Sequence, residues 1–299
     1  QRIVPATFTY TGTNLLTIDL DNASEALTLT SSGGGNYVFT STSNFSGIDE
    51  TGLSGNGTTA LTITSALALT DVAITDSTAL ALALSTASGT LDLVSGGAIT
   101  QTGALTAAGT TNLTATGFDI TLANKANSLT GAVSFTGANV SLTNNRATLL
   151  GTSSATGTLA VSASGAITQN GALNIGGNAS FTGTDITLNN PANVFTGSVA
   201  FTGANVALTD SIALALAASS ATGTLALTSG GTLSQSGALT VGGNTNITAP
   251  GQAILLTNTG NNFSGTVAFT GANVDLQSAF NLVLAASSAT GTLNLVGLN

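Results

Sequence analysis

The pentapeptide Thr136-Gly137-Ala138-Asn139-Val140 occurs three times in this chain, returning at residues 202–206 and again at 270–274. A second segment, Ser-Ala-Thr-Gly-Thr-Leu at 154–159, recurs at 220–225 and 288–293. The two segments thus return together, with nearly the same spacing between successive copies. A near-constant period of this length is typical of repeat architectures, in which each unit packs mainly on its neighbours. The chain is therefore predicted to be a tandem array.

The period divides the chain into two regions. Residues 1–62 are predicted to be a diverged capping repeat region, because Asn-Phe-Ser-Gly at 44–47 matches 262–265 inside the array. Terminal units of such arrays are usually atypical. Residues 63–299 are predicted to be a β-helical repeat array. Its units are expected at about 68–135, 136–201 and 202–269, with a partial unit at 270–299.

Apolar residues alternate with polar or small residues inside each unit, as in Val206-Ala207-Leu208 and Leu225-Ala226-Leu227. Alternation predicts strands with one buried face. Helical repeats are disfavoured, because Gly and β-branched residues are too frequent. A 66-residue unit would hold three turns of about 22 residues, each with two or three short strands. The sequence thus predicts an all-β fold, a parallel β-helix or β-solenoid.

Stacked coils are expected to bring equivalent residues of successive units into ladders. One phenylalanine per unit is expected on a single side of the interior, where the coils bury it. These residues are Phe135, Phe201 and Phe269. One asparagine per unit is expected at a corner, since Asn supports turns and its amide can join successive coils. These residues are Asn139, Asn205 and Asn273.

The composition argues against several classes of partner. Charged residues make up 5% of the chain, and 3 Lys+Arg against 12 Asp+Glu give a net charge of −9. Three cations cannot neutralise a run of phosphates, so nucleic acid and anionic membrane surfaces are disfavoured. No apolar run is long enough to predict a membrane-spanning helix, so membrane insertion is not expected. Without Cys or His, the usual zinc, haem and iron–sulfur sites cannot be built, and no cofactor is expected.

The acidic residues of the array are too dispersed to predict an enzyme. Glycoside hydrolysis needs two carboxylates that face one bond, and elimination needs a base together with cationic or metal stabilisation. Lys125 and Arg146 are the only cations of the array. Asp76 and Asp210 recur at equivalent turns and are interpreted as solvated corner residues. No catalytic residue is predicted.

Metal binding is not expected, although three acids near the N-terminus are weak candidates for oxygen ligands. They are Asp19, Asp21 and Glu25, and Asp19-Leu20-Asp21 brings two carboxylates close together. Solvated acids are the alternative interpretation. Thr-x-Thr pairs at 28–30 and 62–64 also permit an ice-binding surface, but they do not recur once per coil. Ordinary strand-favouring threonine is the preferred interpretation.

The segment Gly-Ala-Ile-Thr-Gln-Thr-Gly-Ala-Leu-Thr at 97–106 and its copies resemble known bacterial repeats. Over about 68–299 the chain resembles the passenger repeats of filamentous-haemagglutinin-type exoproteins and giant β-strand-repeat surface proteins. The resemblance implies a right-handed β-helix, secretion across two membranes and an extracellular or cell-surface location. It also implies a role in adhesion, surface coats or fibres.

Two functions are consistent with these features. The first is a secreted structural protein that forms a fibre, sheath or coat as a head-to-tail homopolymer. Its joint is expected at Leu293, Leu295 and Val296, because an open β-helix end exposes unpaired backbone groups and an apolar cross-section. A longer polypeptide would instead cover that end covalently. The alternative function is an adhesin that binds a glycan or host surface through the N-terminal region or the rod face.

Overall fold

The computed structural model describes residues 7–10, 28–31, 48–49, 72–76, 79–82 and 85–297. Every helix or strand assigned in these residues is a β-strand, and neighbouring strands pair in parallel. Contacts divide the chain into a first unit, Gln1–Thr148, and a second unit, Leu149–Asn299. Each unit is a parallel β-solenoid, with about 11 turns in the two together. The predicted all-β solenoid is confirmed, and no described segment forms an apolar helix that could cross a membrane.

The strands of the first unit are β1 (Thr7–Tyr10), β2 (Thr28–Ser31), β3 (Ile48–Asp49), β4 (Val72–Asp76), β5 (Leu80–Leu82), β6 (Ser85–Ala87), β7 (Leu91–Ser95), β8 (Ile99–Gln101), β9 (Leu105–Ala107), β10 (Thr111–Thr114), β11 (Ile120–Leu122), β12 (Ser128–Leu129), β13 (Ala132–Gly137) and β14 (Val140–Asn144). Strand β15 (Thr148–Leu150) lies at the boundary between the units.

The strands of the second unit are β16 (Ser153–Ala155), β17 (Leu159–Ala163), β18 (Ile167–Gln169), β19 (Leu173–Ile175), β20 (Ala179–Thr182), β21 (Ile186–Leu188), β22 (Val194–Phe195), β23 (Ser198–Gly203), β24 (Val206–Asp210), β25 (Leu214–Leu216), β26 (Ser219–Ala221), β27 (Leu225–Ser229), β28 (Leu233–Gln235), β29 (Leu239–Val241), β30 (Thr245–Thr248), β31 (Ile254–Leu256), β32 (Asn262–Phe263), β33 (Thr266–Gly271), β34 (Val274–Ser278), β35 (Val283–Leu284), β36 (Ser288–Ala289) and β37 (Leu293–Gly297).

A coil contributes three strands, so a strand typically pairs with the third strand after it. In the first unit β4 pairs with β7, β7 with β10 and β10 with β13. In the second unit β18, β21, β24, β27, β30 and β33 form one continuous run. The registers place Val206 beside Leu225, Leu225 beside Thr245, and Thr245 beside Val267. These steps lengthen along the row, and only the last of them reaches the predicted coil length of about 22 residues.

Two six-residue strands of the second unit depart from this rule. The first half of β23 pairs with β25 and its second half pairs with β26. Strand β33 pairs in the same way with β35 and β36. The register steps at both places, such as Val199 to Leu216 and Val267 to Leu284, are shorter than those of the continuous run. They are short because one long strand extends over two short ones.

The interior consists of rows of apolar side chains, one from each coil. One row of the second unit runs through Leu188, Leu208, Leu227, Ile247 and Phe269, which are in register and almost inaccessible to solvent. Each strand alternates buried and more exposed positions, as the sequence pattern predicts. Burying one such side chain contributes about 1.5–3 kcal/mol. The rows therefore supply the main stabilising contribution of each unit.

One sequence repeat does not correspond to a whole number of coils. One repeat contains ten strands, since β24 is equivalent to β34, whereas one coil contains three. Because the long strand β23 extends over both β25 and β26, the ten strands of a repeat do not fill a whole number of coils, and equivalent strands of successive repeats lie in different sheets. Strand β24 pairs with β21 and β27, whereas β34 pairs with β31 and β37. Each repeat thus transfers the pattern to the other sheet of the unit.

This mismatch corrects the predicted phenylalanine ladder. Phe201 lies beside Phe181, in the run of β17, β20 and β23. Phe269 lies beside Ile247, on the face that β24, β27 and β30 share. Both rings are buried, and so is Phe135, which lies beside Leu113 in the first unit. Phe201 and Phe269 nevertheless occupy neighbouring faces instead of one side of the interior.

Replacing Thr245 with valine is expected to stabilise the second unit. Thr245 is buried between Leu225 and Val267, and its hydroxyl oxygen has no hydrogen-bond partner among the described residues. The equivalent residue of the preceding repeat is Ala179. A buried hydroxyl without a partner costs about 1–3 kcal/mol, and valine keeps the shape without it. Urea unfolding should show a higher midpoint for T245V, but little change for T248V on the outward side of the same strand. A lower T245V midpoint would contradict this prediction.

Candidate functional site

The last described coil of the second unit exposes residues that belong to the interior pattern. We call this coil, Val283–Gly297, the open coil. Strand β37 pairs with β34, so that Leu293 lies beside Val274 and Leu295 beside Leu276. Leu293 is 52% exposed, whereas its equivalent one repeat earlier, Leu225, is 1% exposed. Leu284 is likewise exposed, whereas its equivalent, Leu216, is buried.

The structure separates the three predicted assembly residues. Leu293 and Leu295 are in register with buried residues of β34 and share the inward side of β37. Val296 lies beside Gln277, on the outward side of the strand. Its equivalent one repeat earlier is Thr228, which is exposed. Leu293 and Leu295 therefore belong to one surface, and Val296 does not.

The second unit also contains the kind of coil that fits this surface. Strands β25, β26 and β27, which are equivalent to β35, β36 and β37, are covered by β28, β29 and β30. Leu225 lies beside Thr245 and Leu227 beside Ile247 in that contact. Residues 230–249, which form the covering coil, contain no charged side chain. The open coil is thus complementary to an uncharged coil of the β28–β30 type.

The predicted corner asparagines lie at corners, but they do not stack on one another. The backbone N–H and Nδ2 of Asn205 both donate to Oδ1 of Asp185, at 3.0 Å each. Its Oδ1 accepts from the N–H and Oγ1 of Thr224, at 3.1 and 3.0 Å. Asn139 binds Asp119 in the same way, and Asn273 accepts from Thr292. The ladders are mixed because equivalent asparagines of successive repeats follow different faces.

Each repeat contains a hydrogen-bonded pair that was not recognised from the sequence, between a half-buried glutamine and a fully buried asparagine. In the second unit, Nε2 of Gln235 donates to Oδ1 of Asn261 and Nδ2 of Asn261 donates back to Oε1, both at 2.8 Å. Oδ1 of Asn261 also accepts from the N–H of Leu239 at 2.9 Å. Its Nδ2 also donates to the carbonyls of Leu256 and Gln277, both at 3.1 Å. Asn261 thus forms hydrogen bonds to three successive coils, and these bonds use both its Oδ1 and its Nδ2.

The same arrangement occurs at Gln169 with Asn193 and at Gln101 with Asn127. All three asparagines have 0% exposure. The segment at 97–106 and its copies were recognised from the sequence as repeats. The asparagine partners of their glutamines were not. The available signal was an Asn-x-x-Asn pair at 124–127, 190–193 and 258–261. In each pair the first Asn supports the turn and the second enters the interior.

Asp210 lies inside the second unit, which corrects its interpretation as a solvated corner. It is 1% exposed, at the end of β24 beside Ser229. Its Oδ1 accepts from the N–H of Phe195 at 3.2 Å and of Ile212 at 3.3 Å, while Oδ2 has no partner. Burial raises the pKa of Asp210, and the backbone donors only partly offset this effect. The side chain of Asp76 lies outside the described residues.

The acids singled out for metal binding, Asp19, Asp21 and Glu25, lie outside the described residues, as does most of the region 1–62. Within the part of the chain that the structure describes, no group of three or more His, Cys, Asp or Glu could hold a metal ion.

These observations define a class: a β-solenoid built from tandem repeats whose coils are joined by buried amide pairs. Three segments, 69–136, 137–202 and 203–270, match the family described as repeats of unknown function (DUF5649), and the chain belongs to this family. Each segment begins one residue after the start expected from the sequence period. No curated protein and no solved structure matches the chain.

Proposed function

We propose that this chain is a secreted structural protein that builds an extracellular fibre, sheath or surface coat by end-to-end stacking of its solenoid coils. The observation that carries the proposal is the open coil. Leu293 and Leu284 are exposed there, whereas their equivalents Leu225 and Leu216 are buried beneath the next coil. A surface that is interior elsewhere in the same unit is suited to a further coil.

Backbone geometry supports the same proposal. Strand β37 pairs with β34 on one edge, so its other edge carries N–H and C=O groups that a parallel strand can use. Such a contact joins two different surfaces and can therefore propagate without closing. The occupant we propose is a coil of a second copy, uncharged like residues 230–249, whereas in a longer polypeptide a following coil would cover the same edge covalently. Self-association is thus the proposed role of the site, and catalysis has no part in it.

The extracellular or cell-surface location belongs to the proposal and comes from the resemblance to bacterial exoprotein repeats. Membership of a family of tandem solenoid repeats is consistent with that resemblance. Filamentous-haemagglutinin-type proteins are the proposed relatives. The N-terminal region, where an adhesive site would lie in the alternative proposal, is mostly outside the described residues.

The full chain is expected to form filaments that grow with concentration, visible by negative-stain electron microscopy and by sedimentation velocity. The double variant L293E/L295E places two carboxylates on the inward side of β37. An unpaired buried charge costs about 3–5 kcal/mol, so the variant should associate at least about a hundredfold more weakly. Circular dichroism should show that it keeps its strands, because both residues lie in the last coil.

V296E is the matched control, because it adds a charge to the same strand on the outward side. It should assemble like the unmodified chain. Single particles at every concentration, or normal filaments from L293E/L295E, would contradict end-to-end stacking. Single particles that bind a glycan array would favour the adhesin.

A further inference from the structure

Asp210 occupies a corner position where the sequence varies between repeats. The residues equivalent to Asp210 are Asn144 one repeat earlier and Ser278 one repeat later. All three are buried, with exposures of 1%, 2% and 0%. The position therefore accepts a carboxyl, an amide or a hydroxyl, and what these groups share is the capacity to accept a backbone hydrogen bond.

The amide at Asn144 shows what the corner can bind. Its Oδ1 accepts from the N–H of Leu129 at 3.0 Å, as Oδ1 of Asp210 accepts from the N–H of Phe195. Its Nδ2 donates to the carbonyl of Leu129 at 2.8 Å and to that of Ala147 at 3.1 Å. An ionised carboxylate has no proton to donate to such carbonyls. Oδ2 of Asp210, which corresponds to Nδ2 of Asn144, accordingly has no hydrogen-bond partner in the part of the chain that the structure describes.

We propose that Asp210 is a protonated carboxylic acid in the folded protein and substitutes for an amide at this corner. The Oδ2 hydroxyl then donates to a corner carbonyl such as that of Phe195, the equivalent of the Leu129 carbonyl. Loss of the proton removes this donor and leaves a buried charge. The protonated side chain thus joins the end of β24 to β22 at acid pH. This hydrogen-bonded contact weakens as the pH rises.

The surroundings of Asp210 contain no charge that could compensate its ionised form. The groups against it are Ser229 of β27, the N–H of Phe195 of β22, and the backbone N–H groups of Ser211 and Ile212. Residues 149–299 contain no Lys, Arg or Glu, and their other acids are Asp185 and Asp275. Asp185 binds Asn205, which precedes the opposite end of β24, and Asp275 lies in β34. Only uncharged donors therefore face the Asp210 carboxyl.

The direction of the pH effect follows from the raised pKa of Asp210, which burial causes. A folded-state pKa above the unfolded value means that the folded protein binds the proton more tightly. The stabilisation is complete below the unfolded pKa, about 4, and is lost as the pH rises through the folded pKa. Above that pH, Asp210 should weaken the second unit.

The full chain and its D210N variant should be compared by urea unfolding between about pH 4 and pH 8. Their midpoints should be similar at the acid end, and the D210N midpoint should be the higher one at the alkaline end. Infrared difference spectra recorded across this pH range should show a protonated carboxyl C=O band that D210N lacks and that persists to a higher pH than the bands of the other carboxyls. D275N is the matched control for the loss of one carboxylate, and it should retain both the band and the fall in midpoint.

D210S provides a second variant, since Ser278 fills the equivalent position, and it should also lose the pH-dependent difference. A D210N midpoint that follows the unmodified chain at every pH would overturn the proposal. So would spectra in which the carboxyl band that D210N removes disappears at the same pH as the bands of the other carboxyls.

Discussion

Replacing Asn261 with alanine should lower the free energy of unfolding of the second unit by about 4 kcal/mol. Asn261 is fully buried and bonds Gln235, the N–H of Leu239 and two backbone carbonyls. Alanine would remove all of these contacts and leave several buried polar groups unpaired. Each such group costs about 1–3 kcal/mol, and some recover partners through relaxation or water. Urea unfolding followed by circular dichroism measures the loss.

The neighbouring Asn262 provides the control for this variant. Its side chain is partly exposed and accepts only from the hydroxyl of Ser264. N262A should change stability by no more than about 0.5 kcal/mol. Hydrogen exchange adds a local test, since the N–H of Leu239 should lose protection in N261A and keep it in N262A. Equal stability of the two variants would show that the buried pair is dispensable.

Replacing Gly265 with alanine should cost about 3 kcal/mol. A Cβ at Gly265 would lie 2.3 Å from the carbonyl oxygen and 2.4 Å from the carbonyl carbon of Gly243 in the preceding coil. Both contacts are with backbone, so no side chain can move aside. Two coils would have to separate locally, which would weaken the β30–β33 pairing beside them. Thermal unfolding should show a clear drop in Tm.

Gly260 offers a matched glycine in the same part of the chain. A Cβ there would meet nothing closer than 3.3 Å, at the side chains of Ala238 and Asn258. G260A should therefore change stability by no more than about 0.5 kcal/mol. If G265A is as stable as G260A, then the coils can separate at this corner without cost, contrary to the expectation.

The strands could be predicted from sequence because alternation is a local property. The alternation in Val206-Ala207-Leu208 predicts a strand with an inward and an outward side, and this prediction does not depend on the neighbouring coils. The stacking partners of a residue cannot be predicted in this way, because they depend on the number of residues in every corner of a coil. The register step from Val199 to Leu216 is shorter than that from Thr245 to Val267, so the sequence period alone does not identify stacking partners. The phenylalanines of successive repeats were therefore assigned to one ladder.

Buried polar residues were the other limit of prediction. Asn261 and Asp210 read as surface residues, because such side chains are mostly exposed in proteins. Their burial depends on partners far along the chain, such as Gln235, which is 26 residues from Asn261. The Gln segments were recognised as repeats, but no local pattern connects them to the second residue of an Asn-x-x-Asn pair. Leu293 and Leu295 share the inward side of β37, whereas Val296, which the sequence grouped with them, lies on its outward side.

The ten-strand repeat on a three-strand coil has a consequence for how such arrays evolve. Inserting or deleting a single repeat would move every equivalent strand beyond it from one sheet of the solenoid to the other, about half a revolution around the axis. Two repeats must be added together before a downstream loop or binding patch faces its original direction. Unequal recombination between near-identical repeats would thus change the direction in which distal features face, as well as their distance along the solenoid. Selection for an oriented surface would favour changes by pairs of repeats, whereas a protein whose surface needs no fixed direction would tolerate any number.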